Sequence, residues 1–202
     1  MMIKTVSILA LLLSPLPSFA AGASMRLIPF PSLVTQQAAR VVGRPRFATI
    51  TGSYEGKEFS MRLSRTIWML TGSRDSDVIG VKIDHDGKSM LGDIGSRRVE
   101  LAFHWTPVRS LVQGTYNGAP IRYNVDFRDV GVVGAYAGKP FRLAFDRQSR
   151  KVTGSIDGVK VLLDYNPMSG RLNGNLAGRS LDVTLVNQDL GEFFQYFFVL
   201  FP

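Results

Sequence analysis

Gly114-Thr115-Tyr116-Asn117-Gly118-Ala119-Pro120-Ile121-Arg122-Tyr123-Asn124-Val125-Asp126-Phe127 reads as one β-hairpin. Asn117-Gly118 supplies two residues that tolerate positive φ, as a tight type I′ turn requires. Beyond the turn, Ile121, Tyr123, Val125 and Phe127 alternate with Arg122, Asn124 and Asp126. That period of two marks a strand with one face buried.

The same unit runs through most of the chain. Its leading glycine recurs as Gly52, Gly72, Gly92, Gly114, Gly134, Gly154 and Gly174, twenty residues apart save for two extra between Gly92 and Gly114. The turn glycine follows as Gly56, Gly118, Gly138, Gly158 and Gly178, while Ser76 takes its place in the second unit and Gly95 comes one step early in the third. Two positions before each leading glycine stand Ile50, Leu70, Met90, Val112, Val132, Val152 and Leu172. Seven after it come Phe59, Ile79, Val99, Ile121, Phe141, Val161 and Leu181, and nine after it Met61, Val81, Leu101, Tyr123, Leu143, Leu163 and Val183. No apolar place is missed, so the repeat is not a matter of chance.

A two-residue turn sets the pairing within each hairpin, placing Gly52 opposite Phe59, Gly114 opposite Ile121 and Gly134 opposite Phe141. An aromatic or branched partner covers the bare glycine backbone, and glycine repeated along one face predicts strong, regular curvature. The other face carries Ser53, Arg62, Lys82, Glu100, Thr115, Arg122, Arg142, Thr153, Lys160, Asn173 and Thr184. Short polar links join the hairpins, which makes neighbours antiparallel. The expected fold is all-β: a meander of seven hairpins, about fourteen strands over residues 48–186, closing as a curled barrel or a flattened sandwich. A propeller is excluded because each blade needs four strands and each unit supplies two.

A fourteen-strand barrel is too wide for its own side chains to fill. Residues 187–202 offer a remedy. Leu190, Phe193, Phe194, Phe197, Phe198 and Phe201 fall at helical spacing, which predicts a helix that plugs the hollow or anchors to a membrane. Upstream, residues 24–47 depart from the repeat, and a short helix is expected there between Ser32 and Gly43. Residues 1–23 read as a secretory signal peptide, with Lys4, the apolar run Val6 to Leu13, and then small residues.

The chain has 202 residues, a formal net charge of +8 and no cysteine. A basic balance favours anionic partners such as lipid headgroups or polysaccharide. No nucleic-acid motif accompanies it. Lack of cysteine excludes a disulfide framework and thiolate metal sites. His104 alternates outward beside Phe103 and Trp105, a surface position. Asp84-His85-Asp86-Gly87 hints at calcium, but its ordinary meaning is a turn built from Asp and Gly.

The basic residues that follow the tight turns, Lys57, Arg97, Lys139 and Arg179, form an expected anion-binding rim at one end. Tyr54, Tyr116, Tyr136, Phe193, Phe194, Phe197 and Phe198 form an expected apolar face for a ligand or for the plug. The hairpin period is similar to that of cell-wall choline-binding repeats, whose function is not carried over because their paired Trp and Tyr positions are absent. No catalytic residue, cofactor or metal is expected. The sequence therefore points to an exported, non-enzymatic β-repeat protein, periplasmic or extracellular. It would bind an apolar or lipid-like ligand, or an anionic surface of the cell envelope. The alternative is an outer-membrane β-barrel with the same alternation turned inside out.

Overall fold

In the computed structural model, which describes residues 45–202, the seven hairpins form one closed barrel. The signal peptide of residues 1–23 and the short helix expected between Ser32 and Gly43 lie outside the described residues. The hairpins are β1 (Phe47–Tyr54) with β2 (Lys57–Ser64), β3 (Met69–Arg74) with β4 (Asp77–Asp84), β5 (Ser89–Ile94) with β6 (Arg97–Trp105), and β7 (Arg109–Tyr116) with β8 (Ala119–Asp126). They continue as β9 (Gly131–Tyr136) with β10 (Lys139–Asp146), β11 (Lys151–Ile156) with β12 (Val159–Asn166), and β13 (Arg171–Leu176) with β14 (Arg179–Val186). Every strand pairs antiparallel with its sequence neighbours, and β1 pairs with β14 to close the ring. Closure leaves no strand edge unpaired.

The register follows from the turns. Gly52 faces Phe59, Gly114 faces Ile121 and Gly134 faces Phe141. Asn117 and Gly118 both have positive φ, at 53° and 72°. Glu55, Ala137 and Ala177 take the same left-handed conformation, at 55°, 51° and 54°, although their residue types disfavour it. Pairing on both sides of the turn overrides local preference there. The two extra residues between Gly92 and Gly114 lengthen strands, not loops: β6 has nine residues and β7 eight.

All tight turns lie at one end of the barrel, the turn end, and all links at the other, the link end. The links cap themselves. Asp84 Oδ1 accepts from the backbone N–H groups of Asp86 and Gly87, at 3.0 and 2.9 Å. Asp126 and Asn166 repeat the arrangement in their own links. The Asp84 carboxylate thus builds its turn, and among the described residues no three His, Asp or Glu side chains converge as a metal site needs.

Inside, the three apolar rows are buried without exception. Outside, Arg62, Lys82, Arg122, Arg142 and Lys160 are exposed in mid-strand. The hollow is filled by the C-terminal segment. It forms α1 (Leu190–Gln195), then a 3-10 turn over Phe197–Leu200. The single helix expected through Phe201 is therefore broken: Tyr196, at φ −105° and ψ 21°, ends the α-helix. Asp189 caps α1 by accepting from the Glu192 N–H at 2.8 Å. Every residue from Leu190 to Phe201 is buried, as a helix surrounded by core must be. The segment enters at the link end, where β14 stops, and reaches the turn end at Phe201.

Polar contacts fix this plug. Arg65, in the link after β2, pairs with Glu192 at 2.6 Å, both side chains being 8% exposed. Arg65 also donates to the carbonyls of Pro45 and Asn187, at 2.8 and 2.9 Å, and so laces the β1–β14 seam to the plug. Towards the turn end, Arg74 donates to the carbonyls of Val199 and Phe201, at 2.8 and 2.6 Å. Between them the Tyr123 hydroxyl donates to the Gln195 carbonyl at 2.7 Å. These bonds satisfy carbonyls that the short helical turns leave open.

Candidate functional site

The turn end gathers most of the residues that the sequence singled out. Tyr54 and Tyr136 end β1 and β9 on the inner wall, while Lys139 and Arg179 begin β10 and β14 just across their turns. With Phe197 of the plug they line a cavity of about 400 Å³, completed by Ile156, Val159, Leu176, Leu200, Phe201 and Pro202 among others. Lys57 and Arg97 lie beside it, on a smaller hollow of about 190 Å³ shared with Tyr54, Arg74 and Arg179. Tyr116, Phe193, Phe194 and Phe198 are buried in the core and line neither. They serve the plug: Tyr116 meets the Phe198 ring at 6.2 Å between centroids.

The four basic rim residues do stand at one end, but each has an acidic partner on a neighbouring hairpin. Lys57 pairs with Asp75 at 2.7 Å, Lys139 with Asp157 at 3.0 Å and Arg179 with Glu55 at 2.9 Å, and Arg97 pairs with Asp77. The pair formed by Arg179 and Glu55 spans the barrel seam, joining the last hairpin to the first. The pairs of Lys57, Lys139 and Arg179 are well exposed, so each of these three contributes little to stability. Their effect is to offset most of the positive charge on the rim.

Arg179 also donates to the Tyr54 hydroxyl at 3.1 Å. Burial pushes the Tyr54 phenol above its ordinary pKa, against the pull of Arg179, so it remains protonated. The hydrogen bond to Tyr54 in turn raises the Arg179 guanidinium, which stays charged. Burial likewise raises Tyr116. Tyr136 donates to an oxygen of Pro202 at 3.2 Å and stacks on Phe201 at 4.8 Å. The mouth therefore offers aliphatic and aromatic walls beside two cations, Lys139 and Arg179, with Asp157, the partner of Lys139, also on its lining.

Sequence reasoning missed the two arginines that hold the plug. A signal for Arg74 existed. Two residues beyond each leading glycine stand Tyr54, Arg74, Ile94, Tyr116, Tyr136, Ile156 and Leu176, and Arg74 is the one charge in that inward row. Arg65 carried no comparable signal, because links are polar by default.

Compared with family models, curated proteins and solved structures, the chain matches none.

Proposed function

We propose that the chain is an exported, non-enzymatic barrel that holds an apolar, lipid-like ligand in the mouth at its turn end. The observation that carries this is the 400 Å³ cavity, walled by Ile156, Val159, Leu176, Leu200 and Phe201 and topped by Lys139 and Arg179. Concave sites of this size, mostly apolar with a few polar groups at the edge, are the common form of small-molecule sites. Export rests on the reading of residues 1–23.

Two observations favour this reading over an outer-membrane barrel. The outward face presents Arg62, Lys82, Arg122, Arg142 and Lys160, and a cation facing lipid near mid-bilayer costs roughly 2–4 kcal/mol. The strands are also six to nine residues long, where a spanning strand needs about 9–11.

The test is uptake of cis-parinaric acid, followed by its fluorescence. Ile156→Trp should fill the cavity, keep the fold by circular dichroism and abolish uptake. Undiminished uptake in a folded Ile156→Trp variant would overturn the proposal. Fractionation of expressing cells addresses the alternative: retention in membranes through salt and carbonate washes would favour the outer-membrane barrel.

A further inference from the structure

The outer wall of β7 to β12 differs from the rest of the exterior. Cross-strand pairing carries one outward row through Asn124, Val133, Arg142, Ser155 and Lys160, on β8 to β12 in turn. The row beside it runs through Gln113, Arg122, Ala135 and Pro140. No acid stands in either row. The only acids on these six strands are Asp126, Asp146 and Asp164, all at the link end. Asp126 and Asp146 cap their own links, and Asp164 pairs with Lys151 at 2.6 Å. Elsewhere outward acids interrupt the face, as Arg98 with Asp93 and Glu100, and Arg171 with Asp182, illustrate. Arg122, Arg142 and Lys160 have no acidic partner among the described residues.

We propose that this wall binds a flexible anionic polysaccharide through Arg122, Arg142 and Lys160. The strands carrying them are two apart, so at about 4.8 Å per strand the cations succeed one another every 10 Å or so. Thr153 and Ser155 on β11 lie between Arg142 and Lys160, and Gln113 and Asn124 flank Arg122; these offer amide and hydroxyl groups to sugar hydroxyls. The wall turns through four of the fourteen strand steps between β8 and β12, over a quarter of the circumference. A flexible chain can follow such a curve, whereas a planar bilayer meets only part of it. No aromatic side chain points outward on these strands, so a single-stranded nucleic acid would find no stacking platform. This inference is independent of the mouth cavity.

The experiment is calorimetric titration of the whole chain with dextran sulfate and with polygalacturonate, using neutral dextran as blank. Binding should weaken as salt rises. The variant combining Arg122→Ser, Arg142→Ser and Lys160→Ser should lose affinity about tenfold or more, with an unchanged urea midpoint. Arg142→Ser alone, expected to show a smaller loss, serves if the triple variant is less stable. Lys82→Ser, on β4 at the other side of the barrel, should change affinity less than about twofold. Undiminished binding by the triple variant, or an equal loss in Lys82→Ser, would overturn the proposal. So would tighter binding to phosphatidylglycerol vesicles or to an oligonucleotide than to either glycan.

Discussion

A methyl group added at Gly114 would lie 2.2 Å from the Glu100 carbonyl oxygen, on a backbone with φ of +148°. Both the clash with backbone and the conformation oppose any side chain, so Gly114→Ala should cost about 3 kcal/mol in urea unfolding. Gly118→Ala meets open space at φ +72° and should cost only about 1 kcal/mol. His85 makes a second residue-level prediction. It packs on Trp68 at 3.8 Å and near Phe103 and Trp105, and burial lowers its pKa from the ordinary 6.5. Below 6.5 the unfolded chain takes up a proton that folded His85 resists. Stability should therefore fall as pH drops through and below that value, a slope that His85→Phe removes. A separate acid loss belongs to carboxylates held below their ordinary 3.8: Asp126 by the Asp129 N–H, Asp146 by the Ser149 hydroxyl and Asp182 by Arg171. Their contribution is present above 3.8 and disappears as pH falls below it. Melting temperatures across pH separate the two windows.

At the scale of elements, the hairpin was legible because a two-residue turn fixes register, and register fixes which residues face inward. The apolar rows then followed from the recurrence of that hairpin at the seven leading glycines. The C-terminal segment was legible as apolar and helical, with plug and membrane anchor both left open, but its shape was not, since aromatic spacing cannot show the break at Tyr196. The acidic partners of Lys57, Lys139 and Arg179 were not legible, because each lies on another hairpin and meets its cation only once the wall is paired. Glu192 tests the plug. Glu192→Ala leaves the buried Arg65 guanidinium without its carboxylate, and the loss should be about 3–5 kcal/mol by chemical denaturation. A change below about 1 kcal/mol would mean that solvent reaches Arg65 and that the plug is loosely seated.

For the molecule as a whole, the sequence left barrel and sandwich open because both use the same rows. What separates them is the pairing of β1 with β14, over residues more than a hundred positions apart. That seam is six residue pairs long and is tied by Arg65 at one end and Arg179 at the other. Hydrogen exchange should show the bonded amides of β1 and β14 as protected as those of β7 and β8. Faster exchange confined to the seam would mean that the ring opens there. The cavity was not legible, since it is the space left between Phe201 and a curved wall.

The position of the plug also bears on how the chain can be made and moved. Strand β14 closes the ring and the residues after it fill the centre, so the barrel is incomplete until Leu190 to Phe201 have followed β14 out of the ribosome. A nascent chain stopped at Val186 would have its strands but a hollow interior lined by apolar side chains. The polypeptide should thus stay uncommitted up to that point and gain its stability abruptly, once Leu190 to Phe201 are free to enter.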